Sequence, residues 1–96
     1  MRPPPVPAGQ REAILELAAR YGASKVRVFG SAARGEAGPD SDLDLLVTMG
    51  PRRTLLDLIA LGQDLETRLG RRVDVVSDGG LSPHLRERIL ADATPL

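Results

Sequence analysis

Residues 42–47, Asp-Leu-Asp-Leu-Leu-Val, leave this chain the fewest choices. In an extended strand the side chains alternate faces, so Asp42 and Asp44 share one face while Leu43, Leu45 and Val47 share the other. Leu46 follows the two acids on their own face, which predicts a strand open at its Asp end and buried on both faces further along. An earlier apolar run, Val26-Arg27-Val28-Phe29, closes on Gly30-Ser31. The spacing predicts strands over 24–29 and 42–48, joined by Gly-rich, Pro-containing chain.

Ninety-six residues make one small domain. Residues 1–9, with four prolines and a glycine, read as an extended tail without fixed order, and residues 10–96 as the folded domain. There is no Cys, so neither a disulfide nor a thiolate metal site can form. The start lacks the apolar core of a secretion signal, which places the expectation in the cytoplasm. No stretch approaches the ~20 apolar residues a membrane span needs. The formal net charge of zero argues against direct nucleic-acid binding, which calls for a basic excess.

Taken in order, residues 10–21 carry an amphipathic helix, with Ala13, Ile14, Leu17, Ala18 and Tyr21 on one stripe and Gly22 suited to the position after its end. A short helical turn is expected over 31–35, and Gly38-Pro39-Asp40 is a break. Thr54 and Asp57 form a capping pair for a second helix that runs to Leu69 and stops at Gly70. Leu55, Leu58, Ile59, Gly62, Leu65 and Leu69 form its stripe, and Leu56 and Leu61 lie at or beyond the edges, either facing a partner or widening the core face. Asp64 and Arg68 are spaced as an i, i+4 pair. Val73-Asp74-Val75-Val76 is a third strand, Asp78-Gly79-Gly80 a loop, and Ser82-Pro83 opens a last helix over 83–92 with Leu85, Ile89 and Leu90 apolar. The order αβαβαβα predicts a small mixed sheet with helices mainly on one face. Strands two and three, joined by a helix, should be parallel, and strands one and two antiparallel.

Asp42 and Asp44, on one face with Cα atoms roughly 6.6 Å apart, can share divalent ions about 4 Å apart, the geometry of two-metal phosphoryl chemistry. Asp74 alternates with valines as the other two alternate with leucines, so neighbouring strands would bring three carboxylates together. Their repulsion would be relieved by two Mg²⁺ ions, or Mn²⁺, for which all-oxygen ligands are suited. Gly30 lets a phosphate approach the backbone, and Ser31 at the head of a turn offers N–H and hydroxyl groups to an anion. Together these predict nucleotidyl transfer from a nucleoside triphosphate. Arg34 could meet a phosphate or a partner, or bridge to Glu36 or Asp40. An EF-hand starting at Asp40 fails because Leu45 replaces its glycine and Pro51 its bidentate Glu. A P-loop fails for lack of Gly-Lys-Ser/Thr. Asp74 as an ordinary surface acid remains open; His84 reads as solvated and Tyr21 as a core-edge residue.

The set Gly30-Ser31-x-x-Arg34-Gly35, Ser41-Asp42-Leu43-Asp44-Leu45 and Val73-Asp74-Val75-Val76 resembles the DNA polymerase β-like nucleotidyltransferase superfamily, closest to its minimal nucleotidyltransferase (MNT) branch. The resemblance covers most of residues 10–92. It implies a mixed-sheet αβαβαβ core, Asp42, Asp44 and Asp74 as metal ligands, and Gly30 and Ser31 at the triphosphate. It also implies a helical HEPN-type RNase toxin as partner, neutralised when an MNT antitoxin moves AMP from ATP onto its tyrosine. Neutralisation by masking without catalysis is the alternative. Transfer to a small molecule is disfavoured by the lack of a second domain. Assembly with itself or with a partner is left open.

Overall fold

The computed structural model describes residues 6–35 and 41–96. A first helix α1 (Ala8–Arg20) leads into β1 (Ala23–Phe29), followed by β2 (Leu43–Met49), α2 (Leu55–Leu69), β3 (Val73–Ser77), a 3-10 turn (Asp78–Gly80), α3 (Pro83–Asp92) and the two-residue β4 (Thr94–Pro95). The sheet order is β3-β2-β1-β4. β2 runs parallel to β3 and antiparallel to β1, as the connections predicted. β4 was not foreseen: two residues, one of them proline, carry no alternation to read. It pairs antiparallel to β1 through Arg27 with Pro95 and Val28 with Thr94.

One face of the sheet carries the core. Val26, Val28, Leu43, Leu45, Val47 and Val73 pack there against Ile14, Leu17 and Ala18 of α1 and Leu61 and Leu65 of α2. Leu45 and Leu61 are fully buried, each worth about 1.5–3 kcal/mol. Two polar ties fasten α1 to α2. Asp64 and Arg68 turn to the neighbouring helix rather than to each other: the Tyr21 hydroxyl donates to Asp64, and Arg68 pairs with Glu16 at 3.8 Å.

On the opposite face Leu46 is fully buried as well. The 3-10 turn packs on β2 and α3 on β1. Asp78 pins the turn there, accepting from the Thr48 hydroxyl at 2.6 Å and from Arg27 Nη2 at 3.1 Å. Burial on both faces at the far end of β2, with the Asp end open, is the arrangement the strand's sequence predicted. The Thr48 contact holds Asp78 below the usual carboxylate range, with Arg27 adding to it.

The helix ends follow their local chemistry. Asp57 accepts from the Thr54 N–H at 2.9 Å at the start of α2, and Gly70 ends it in the left-handed region at φ 68°. Ser82 accepts from the Leu85 N–H, with Pro83 in the first turn of α3.

Four expectations change. α1 opens at Ala8 and Val6 is buried in the core, so residues 6–9 belong to the fold; residues 1–5 lie outside the described residues, as does the break at 38–40. Asp42 stands just ahead of β2, not within it. Leu61 is core while Leu56 is 76% exposed, which divides the two edge leucines between the two readings. Leu55 and Ile59 are also exposed, because β3 is an edge strand and, among the described residues, no element beyond it receives that side of α2.

Candidate active site

The sheet register assembles the site. In the parallel β2–β3 pair, Asp44 lies abreast of Asp74. In the antiparallel β1–β2 pair, Asp44 lies abreast of Phe29, so the chain leaves β1 beside the same carboxylate. Gly30 takes φ 73°, and a Cβ built on it would stand 2.5 Å from Asp44 Oδ2. A side chain here would force the Asp44 carboxylate aside, on a backbone conformation that residues other than glycine rarely adopt. The chain then makes a single helical turn, with the Arg34 N–H donating to the Gly30 carbonyl at 3.2 Å. Ala32 seats this turn in the core, while Ser31 stays half-buried.

Asp44 is the electrostatic centre. Burial pushes its carboxyl above the usual range, and the negative charges of Asp74 and then Asp42 push it further; the Arg34 guanidinium pulls the other way. Four of the sequence-derived residues thus act on one another here, and Gly30 touches the same group. Asp42 and Asp74 are exposed and Asp44 is half-buried, so the acids form an open cluster. Among the described residues no group of three or more His, Cys, Asp or Glu side chains stands close enough together to hold a metal ion by itself. An open, all-oxygen set is nonetheless what Mg²⁺ uses when water and substrate phosphates complete its shell. A divalent cation would also remove the repulsion that raises Asp44, so the residues fit the ion.

Arg34 Nη1 donates to Asp92 Oδ2 at 2.7 Å, at the end of α3. Glu36 and Asp40, the bridging partners considered from sequence, lie outside the described residues. His84 is exposed, and Tyr21 sits at the core edge as expected.

Two side chains near the acids were not singled out from sequence. Arg71 donates through Nε and Nη2 to the Ser41 carbonyl, at 2.9 and 2.5 Å, fixing the chain one residue before Asp42. The basic pair Arg71-Arg72 was visible, but nothing local said where it would point. Asp92 lies 58 residues from Arg34 on a charged helix, and no spacing links them. Asp74 also lines a groove of about 300 Å³ between α2 and the outer edge of β3, floored by Leu58, Gly62 and Val75 and flanked by Leu55 and Ile59.

Comparison with known proteins bears on this geometry. The family profile described as "Nucleotidyltransferase domain" matches residues 10–96. The chain belongs to the nucleotidyltransferase family. A solved structure of a candidate minimal nucleotidyltransferase superposes on this domain with a TM-score of 0.81 at 60% identity, covering 92% of this chain and 90% of that one. The protein adenylyltransferase MntA of Thermococcus cleftensis is 42% identical over 77 residues, 80% of this chain and 78% of that protein. The fold is shared at greater distance with a complex of a tri-AMPylated HEPN toxin and its MNT antitoxin from Shewanella oneidensis, with a TM-score of 0.71 at 19% identity, over 90% of this chain and 67% of that one. The small mixed-sheet nucleotidyltransferase fold expected from the sequence is therefore the one found. Among the described residues, no helix of this nucleotidyltransferase is long and apolar enough to cross a membrane.

Proposed function

We propose that this domain transfers AMP from ATP to a protein hydroxyl, with divalent metal, and that the acceptor is a HEPN-type toxin which it neutralises. The observation that carries the reading is the contact of Gly30 with Asp44, itself abreast of Asp74: a backbone bend able to admit phosphates stands against two of three clustered carboxylates. The relatives named adenylyltransferase, and the AMPylated toxin in a complex of the same fold, support AMP as the group and a protein as the acceptor.

Asp42, Asp44 and Asp74 are the residues that would hold two Mg²⁺ or Mn²⁺ ions, which supply positive charge to the reacting phosphate. Gly30 and Ser31 hold the triphosphate tail, and Arg34 adds a cation on the same side. The acceptor oxygen attacks the α-phosphorus, the bond to the β-phosphate oxygen breaks, and pyrophosphate leaves. Asp74, exposed to solvent, would take the hydroxyl proton as the new P–O bond forms.

Incubation with radiolabelled ATP, Mg²⁺ and a HEPN-type toxin tests the reading. Label should appear on the toxin with wild type and vanish with Asp42→Asn and with Asp44→Asn, both still folded. Persistent labelling with both variants would defeat it.

The exposed Leu55, Leu56 and Ile59 favour a second reading, in which the protein neutralises its partner by covering it. Under that reading the same two variants still relieve toxicity in growth assays.

A further inference from the structure

Asp92 is a carboxylate in the last turn of α3, where it opposes the helix dipole instead of complementing it. No residue of α3 is buried, so packing of the helix does not explain why an acid stands there. Its position does. β4 begins two residues later and pairs Thr94 with Val28 and Pro95 with Arg27. The Asp92 carboxylate meets Arg34 Nη1 at 2.7 Å, and Arg34 is one helical turn beyond Gly30.

We propose that Asp92 is a positioning residue, holding the Arg34 guanidinium toward the triphosphate at Gly30-Ser31. The inference rests on the nucleotidyl-transfer reading above. A guanidinium is a rigid planar fork on a long flexible stem, and a charge-assisted bond to one nitrogen fixes the plane of the whole group. Both partners are partly exposed, 47% for Arg34 and 39% for Asp92, so the pair adds little to stability. What it contributes is orientation, bringing a cation already set in place to the incoming phosphates.

The test is a double-mutant cycle read in the dissociation constant of ATP with Mg²⁺ by calorimetry, with thermal unfolding followed in parallel. Asp92→Ala should weaken ATP about fivefold, Arg34→Ala at least as much, and the double variant no more than Arg34→Ala alone, because Asp92 acts through Arg34. Asp92→Glu should recover most of the affinity. If Asp92→Ala does not fold, Asp92→Asn, which keeps the shape and loses the charge, replaces it with the same expectation. Unchanged affinity in the Asp92 variant, or losses that add in the double variant, would overturn the inference while leaving nucleotidyl transfer standing. Wild-type protein that binds no nucleoside triphosphate would overturn both.

Discussion

Gly30 and Asp44 are so close that the smallest side chain on the first would collide with the carboxylate of the second, a Cβ standing 2.5 Å from Oδ2. The obstructed atom ends a side chain that can rotate, so the fold can survive substitution, but the acid must move. For Gly30→Ala we expect a stability loss of about 1–2 kcal/mol from the left-handed backbone. Displacing Asp44 should lower AMP transfer about a hundredfold. Denaturant unfolding and single-turnover labelling measure the two effects separately.

Asp44 is a group the apoprotein holds at a cost. Burial and two neighbouring acids raise its folded pKa. A raised folded pKa means that its contribution is fully present below the unfolded pKa and is lost as pH rises through the folded value. Asp44→Asn should therefore be more stable than wild type at pH 7, by about 0.5–2 kcal/mol as function-relieving changes commonly are, with the difference closing in acid. Mg²⁺ should raise the wild-type melting temperature and leave that of the variant nearly unchanged. Calorimetric melts with and without Mg²⁺ across pH 3–7 check both.

Asp78 has the opposite sign. The Thr48 hydroxyl bond, reinforced by Arg27, lowers its folded pKa. Its contribution is therefore present above the unfolded value, about 3.9, and is lost as pH falls through the folded one. Asp78→Asn should cost about 1–3 kcal/mol at pH 7, and this penalty should shrink as pH falls through the lowered folded value. A pH series of urea midpoints for both proteins gives the comparison.

Leu56 and Leu61 lie on one helix with opposite fates. Leu61→Ala should cost about 2–5 kcal/mol, because it opens a cavity in the core. Leu56→Glu should change stability by less than about 0.5 kcal/mol, since the side chain is exposed. If this face of α2 meets the toxin, that second variant should weaken the complex about tenfold in a pull-down titration.

The parts of the fold readable in advance were those governed by short-range alternation. The parity of 42–47, the glycine after Phe29 and the helix between β2 and β3 were enough to place Asp44 beside Asp74 and Gly30. What escaped depends on where separate elements end in space. β4 exists because Thr94 and Pro95 happen to pass β1, and the Arg34–Asp92 pair follows from that passage. The helical stripe suggested that Leu55 and Ile59 would be buried, but periodicity names the inward side of a helix without saying how far the sheet beneath it extends. Val6 was masked by prolines whose composition argued for a tail, yet one apolar side chain beside the core outweighed it.

The alternation along β2 has a consequence for what change this strand can absorb. Odd-numbered positions 43 to 47 feed the interior, and the even-numbered Asp44 faces the site. A single residue gained or lost between Asp42 and Leu45 would shift this phase by half a period. It would exchange acid for leucine on both sides at once, so stability and chemistry would fail together. Point substitutions can erode this domain by degrees, whereas an added or lost residue in this strand is tolerated only where a local bulge takes it up, as β1 does between Ser24 and Arg27.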